Sequence, residues 1–147
     1  MRVAERLARC GCGRVQVRVR GEPHYVYLCH CDFCQKRSGS TGTYSAWFNS
    51  DQVLEIAGDI KIYNGLELDG AGVAELGVDT SYYFCATCGM TVFSTTAEVP
   101  GVHCIAAGCF VEPDFPPPTV EYWTELRHSW VAAIPDAVAH ERFSAAP

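Results

Sequence analysis

The chain has 147 residues, of which 48% are hydrophobic and 19% are charged, a balance typical of a folded globular protein and not of a disordered one. Its formal net charge of −6 argues against the basic face that nucleic-acid binding requires, so nucleic acid is not an expected partner. No stretch approaches the roughly twenty apolar residues that span a bilayer, and the charged N-terminus lacks the apolar core of a signal peptide, so we expect a cytoplasmic protein without a membrane partner.

Most of the sequence is predicted to form short β-strands. Val15, Val17 and Val19 alternate with polar residues, which places the three valines on one face of a strand. Turn-forming Asn, Gly and Asp residues separate several of the segments that follow. Strands are predicted at residues 14–20, 24–28, 44–48, 53–56, 61–63, 81–84, 91–94, 102–107 and 120–124.

The remaining segments contain few helix signals. A single helical turn is predicted at residues 32–37, and a short C-terminal helix at residues 136–143 with Asp136 as its N-cap. The glycine-rich residues 66–77 are predicted to form an exposed loop, and residues 113–118 a proline-rich connector. We expect one mainly β domain, 1–147, with short helical turns and no internal repeat.

Seven of the nine cysteines fall into three tight groups. CxC and CxxC pairs are typical of metal chelation, and an odd number of cysteines does not fit a secreted disulfide framework. Closed structural zinc sites take four protein ligands, whereas catalytic zinc sites take three and leave one position open. We predict that the outer pairs close one structural site, formed by Cys10, Cys12, Cys85 and Cys88.

The central group, Cys29, Cys31 and Cys34, then remains as an open and catalytic zinc site. Two alternatives stay open from the spacing alone. Cys104 or Cys109 would complete a second closed site, or the seven cysteines would pair differently. The roles of Cys104, Cys109 and His30, which lies between two of the three cysteines, are not determined by the sequence.

Zinc with three thiolate ligands forms a site with a net negative charge. Such a site is poor at converting bound water to hydroxide. Zinc deprotonates a coordinated thiol outright, so an exchangeable substrate thiol suits the site better. Lys36 and Arg37 follow the central group directly and are predicted to bind the anionic substrate or offset its charge.

Three motifs resemble those of the glutathione-dependent formaldehyde-activating enzyme family, which includes the centromere-protein-V-like zinc proteins. They are Cys10-Gly-Cys12-Gly13, Leu28-Cys-His-Cys-Asp-Phe-Cys-Gln-Lys-Arg-Ser-Gly-Ser40 and Tyr83-Phe-Cys-Ala-Thr-Cys-Gly89. The resemblance covers about residues 6–130 and leaves residues 131–147 as a C-terminal extension. Where the family commonly has a histidine after the proline-rich segment, this chain has Glu121-Tyr122-Trp123.

The resemblance implies a β-tent fold with two zinc ions per chain, one structural on the outer cysteines and one catalytic on the central three. It also implies a carbon–sulfur lyase that joins glutathione and formaldehyde as S-(hydroxymethyl)glutathione, or a related thiol and aldehyde. The alternative is a non-catalytic binding module stapled by two structural zinc sites, and a redox function using Cys104 or Cys109 is a third hypothesis. The oligomeric state is left open.

Overall fold

The computed structural model describes residues 4–67 and 79–144, and these form eleven β-strands, one α-helix and a few short 3-10 turns. The mainly β class predicted from the sequence is therefore confirmed. The single helix of the described residues, α1, spans Asp32–Ser38. Strands β1 to β11 span Glu5–Arg9, Gln16–Arg20, Tyr25–Cys29, Thr43–Asn49, Val53–Ala57, Ile60–Asn64, Thr80–Cys85, Thr91–Thr96, Val102–Ala106, Val120–Tyr122 and Val138–Ala139.

The strands form two sheets. A small antiparallel sheet has the order β1-β2-β5, and a larger sheet has the order β11-β10-β3-β4-β9-β8-β7-β6. Strand β10 runs parallel to both β3 and β11, whereas the other pairs of the large sheet are antiparallel. The parallel pair brings the C-terminal part of the chain beside β3, the strand that ends at the first cysteine of the central group.

Two clusters of buried side chains form the core, and each contains one cysteine group. The three alternating valines of the predicted strand, at positions 15, 17 and 19, are each at most 1% exposed and belong to the first cluster. That cluster also holds Cys10 and Cys85, whereas the second holds Cys31 and Cys34 among aromatic residues. Each cysteine group is thus held by its own part of the core.

The C-terminal helix predicted at residues 136–143 is wrong. Asp136 has φ 63°, a left-handed conformation, whereas a helix N-cap residue has an extended backbone. Val138 and His140 instead donate backbone hydrogen bonds to Thr119 and Glu121, at 2.9 and 2.8 Å. The short Val-Ala segment therefore pairs its backbone hydrogen-bonding groups with β10 and forms the edge strand β11. This pairing is non-local, and the local sequence does not indicate it.

The other predicted elements are found with small changes at their ends. The helical turn predicted at residues 32–37 is α1, and each of the nine predicted strands overlaps an observed one. Strand β1, which pairs with β2, was not predicted, because its charged residues do not give the apolar alternation typical of a strand. Of the loop predicted at residues 66–77, only Leu66 and Glu67 are described, in a 3-10 turn; the rest lies outside the described residues.

Candidate functional site

The four outer cysteines meet at one end of the first core cluster. Cys10 and Cys12 lie in the turn between β1 and β2, and Cys85 and Cys88 lie at the end of β7 and in the turn that follows. Their Sγ atoms all lie within 4.8 Å of one another. The Cys10–Cys12 and Cys12–Cys85 Sγ distances are 3.5 and 3.7 Å, close to the edge of about 3.8 Å that four zinc–sulfur bonds of about 2.3 Å give a tetrahedron.

Hydrogen bonds from backbone amides favour the thiolate form of Cys10 and Cys88 in this cluster. The amides of Val15 and Thr87 point at the Sγ atoms of Cys10 and Cys85, at 3.2 and 3.4 Å. Hydrogen bonds from backbone amides lower the pKa of Cys88 to about 6. Because metals bind the thiolate and not the thiol, the geometry and the backbone environment both fit zinc.

The central cysteines are positioned by the junction of β3 and α1. Cys29 is the last residue of β3, Cys31 is the N-cap of α1, and Cys34 lies in the first turn of the helix. The Sγ atom of Cys31 accepts a hydrogen bond from the Cys34 amide at 3.2 Å, in the position where a Ser or Asp side chain usually caps a helix. The three Sγ atoms lie within 4.8 Å of one another.

The central cluster contains three cysteines among the residues that the structure describes, and neither Cys104 nor Cys109 joins it. Cys104 lies on the wall of a neighbouring cavity, where burial raises the pKa of its thiol to about 11. Cys109 packs against the first core cluster, and burial likewise raises its pKa to about 11. Within the described residues, a second closed four-cysteine site therefore has no support.

A cavity of about 100 Å³ lies directly against the central cysteines. Aromatic residues are the largest group in its lining, and Arg37 is the only cationic side chain among the described residues that line it. Threonine, serine and tyrosine residues add hydroxyl groups to the lining. The lining residues are Tyr27, Cys29, Cys31, Phe33, Cys34, Arg37, Thr43, Trp47, Thr80, Tyr82, Ser94, Thr96, Cys104, Tyr122, Trp123 and Phe143.

The structure separates the two predicted substrate-binding cations. The guanidinium of Arg37 lies 4.6 Å from the ring centroid of Tyr82 and donates to the Thr43 hydroxyl at 3.1 Å, which fixes it on the cavity wall. Lys36 is exposed and pairs with Asp32 one turn earlier in α1, at 2.8 Å, away from the cavity lining. Arg37, and not Lys36, is therefore placed to meet a bound anion.

His30 is fully buried and faces away from the cavity lining. Its Nε2 atom lies 2.8 Å from Oε1 of Glu121, which is 1% exposed. Arg127 and the backbone amide of Ile134 donate to the same carboxylate at 3.1 Å. Glu121 thus supplies a buried carboxylate that holds His30, the residue before Cys31.

Sequence reasoning missed several groups at this site. Tyr27 precedes Cys29 by two residues in one strand, and the period of two places both on the same face, a signal that was available. Burial, together with the neighbouring Cys104 thiol, raises the pKa of Tyr27 well above its ordinary value, so its hydroxyl stays protonated. Trp123, at φ 57°, and Phe143 reach the cavity from the C-terminal part of the chain, and no local pattern pointed to them.

The mainly β fold thus holds a four-cysteine cluster and, beside the cavity, a three-cysteine cluster, and each of them could hold a metal ion. The chain belongs to the glutathione-dependent formaldehyde-activating enzyme family, whose model matches residues 5–126. The resemblance drawn from the cysteine motifs is therefore confirmed.

Comparison with solved structures supports the fold. A crystal structure of a Rhodobacter sphaeroides protein has a TM-score of 0.53 and 18% sequence identity, over 77% of this chain and 92% of that chain. This likeness concerns the fold alone. No curated protein sequence matches the chain. Among the described residues there is no helix with the length and apolar character needed to cross a membrane.

Proposed function

We propose that this protein makes and breaks the carbon–sulfur bond of a thiol–aldehyde adduct, as an S-(hydroxymethyl)glutathione synthase does. The observation that carries the proposal is the position of Cys29, Cys31 and Cys34, which form a three-thiol cluster on the wall of a cavity. Family membership supports the same chemistry, with glutathione and formaldehyde as the first substrates to test.

Zinc is the metal that fits both clusters, because thiolate sets of this kind select soft or borderline ions. Cys10, Cys12, Cys85 and Cys88 would hold a structural ion, and the three central cysteines a catalytic one. A zinc ion bound by the central cysteines would supply deprotonation of a coordinated substrate thiol. Both clusters need reduced cysteines, which suits a reducing compartment such as the cytoplasm.

The residues around the cavity bind, orient and shield the reactants. Arg37, fixed by Tyr82 and Thr43, would pair with a substrate carboxylate. The protonated hydroxyl of Tyr27 would donate a hydrogen bond to the aldehyde oxygen and polarise the carbonyl group. The aromatic wall keeps water away, which strengthens both interactions and holds the reactants close together.

The reaction balances without an oxidant or a reductant. A bond forms between the substrate sulfur and the aldehyde carbon, and the carbonyl π bond breaks. The proton of the thiol ends on the former carbonyl oxygen, which becomes the hydroxyl group of the adduct. The reverse reaction returns that proton to sulfur and releases the aldehyde.

The rate of exchange between free and adduct-bound formaldehyde tests the proposal. Two-dimensional exchange NMR measures this rate with and without the protein, and the difference is the catalysed rate. Cys31→Ser should lower the catalysed exchange by at least about 100-fold while the protein stays folded. Cys109→Ser, which alters a thiol outside both clusters, is the matched control and should keep the wild-type rate. Wild-type exchange in Cys31→Ser would refute the mechanism.

A further inference from the structure

The C-terminal segment after residue 126 lies outside the family match, yet it forms part of the cavity wall. Phe143 lines the cavity, and its ring centroid lies 5.4 Å from that of Tyr122. Arg142 places its guanidinium 5.4 Å from the ring centroid of Trp123, another wall residue, and pairs with Glu125 at 3.1 Å. The segment therefore contributes a part of the cavity wall that the family-matched region does not supply.

Backbone hydrogen bonds hold the segment in place. Strand β11 pairs with β10, and the amide of His140 donates to the Glu121 carbonyl at 2.8 Å. The Thr124 amide donates back to the His140 carbonyl at 3.1 Å. The ring of His140 stacks on Tyr122, with 5.4 Å between centroids. Phe143 lies three residues after His140, so these hydrogen bonds keep it close to the cavity.

The charged groups on the cavity wall do not match those of a whole glutathione molecule. Glutathione carries two carboxylates and an ammonium group, which lose solvation free energy unless each finds a partner. Among the described residues, the cavity wall offers Arg37 as its single cation and offers no carboxylate.

We propose that the segment of residues 138–143 is a specificity wall, which selects an apolar thiol carrying one carboxylate over glutathione. This inference rests on the proposed function, because it assigns the thiol that enters the same site. The thiol would lie at the central cysteines, its carboxylate would pair with Arg37, and its apolar group would pack on Phe143 and Trp123. Cys34 and Arg37, one turn apart in α1, set the short distance between the thiol and carboxylate positions.

Isothermal titration calorimetry on the zinc-loaded protein tests the preference directly. The probes are glutathione and α-mercaptohydrocinnamate, a phenylpropionate with its thiol next to the carboxylate. The wild-type protein should bind the phenyl probe at least about tenfold more tightly than glutathione. Phe143→Ala should weaken binding of the phenyl probe by about tenfold and leave glutathione unaffected. The methyl ester of the phenyl probe should bind about tenfold more weakly than the acid, because Arg37 loses its partner.

Trp130→Ala is the matched control, since Trp130 belongs to the same C-terminal region, is 75% exposed and lies outside the cavity lining. It should bind both probes as the wild-type protein does. The inference would be overturned if the wild-type protein bound the two thiols equally, bound glutathione more tightly, or bound neither. It would also be overturned if Phe143→Ala lost the same affinity for both probes. Rapid exchange with glutathione alone would overturn the specificity wall and leave the proposed reaction standing. Preferential binding of the phenyl probe with no exchange in either thiol would contradict the reaction and support the wall.

Discussion

Glu121 supplies a buried ionic contact next to the central cysteines. Its carboxylate is buried and accepts hydrogen bonds from His30, Arg127 and the Ile134 amide. Burial alone would raise the pKa of Glu121. The three hydrogen bonds outweigh that effect and hold the pKa below its ordinary value of 4.5. The ionised carboxylate is therefore bound more strongly in the folded protein than in the unfolded chain.

We predict that Glu121→Gln lowers the free energy of unfolding by about 2–3 kcal/mol at pH 7, because it removes charge-assisted hydrogen bonds from a buried group. Since the folded pKa of Glu121 is the lower one, its contribution is complete above pH 4.5 and is lost as pH falls through the folded value. The difference between wild type and variant should narrow below about pH 4.5. Urea unfolding of both proteins at pH 7 and pH 4 measures this difference in the free energy of unfolding. The same difference at both pH values would contradict this account.

Gly42 has a steric role in the central site. A Cβ atom at this position would lie 2.6 Å from the carbonyl oxygen of Cys29, closer than real Cβ contacts allow. The glycine therefore permits the strand after α1 to pack on the backbone of a predicted metal ligand. This close approach explains why a glycine occupies position 42.

Gly42→Ala should displace Cys29, lower zinc retention at the central cluster and cost about 1–3 kcal/mol of stability. Gly108→Ala is the matched control, because a Cβ there meets nothing within 4 Å. Zinc analysis after gel filtration, combined with thermal unfolding, compares the two variants. Equal behaviour of Gly42→Ala and Gly108→Ala would show that the close approach to Cys29 has no consequence.

The outer cysteine cluster connects two turns that are far apart in the chain. It ties the β1–β2 turn to the end of β7 and the β7–β8 turn, so one ion there would close a long chain segment. Such a link stabilises the fold by reducing the entropy of the unfolded chain, and a binding site that forms only on folding adds its affinity to stability.

Cys85→Ser should therefore lower the free energy of unfolding by about 4 kcal/mol, the size of loop-closure terms for comparable cross-links. Cys31→Ser should cost much less, because its cluster spans one strand–helix junction. Chemical denaturation under reducing conditions measures the free energy of unfolding of both variants, with Cys109→Ser as the control. A larger loss in Cys31→Ser than in Cys85→Ser would favour a second structural site over an open one.

The arrangement of the whole molecule depends on the parallel pairing of β10 with β3. This pairing places the C-terminal segment beside the central cysteines, so Trp123 and Phe143 reach the cavity that is lined by Tyr27 and Cys29 of β3. The region matched by the family, residues 5–126, and the segment after it therefore build one site together.

Sequence reasoning reached the parts of this site that depend on local spacing. The strand alternation around Val17 and the grouping of the seven cysteines are local patterns, and the strands and clusters follow them. Phe143 and Glu121 could not be placed, because their positions result from a long-range parallel pairing that leaves no periodic signal. Residues 136–143 were assigned to a helix for the same reason, since the partner strand, and not the local sequence, decides their conformation.

Zinc content per chain, measured side by side for wild type and Cys31→Ser, tests the central claim most directly. Protein purified without chelator and analysed by mass spectrometry should contain about two zinc ions in the wild type and about one in Cys31→Ser. The remaining ion should keep the variant folded. About one zinc ion in the wild type, or an unchanged content in Cys31→Ser, would contradict the assignment of a second metal site to the central cysteines.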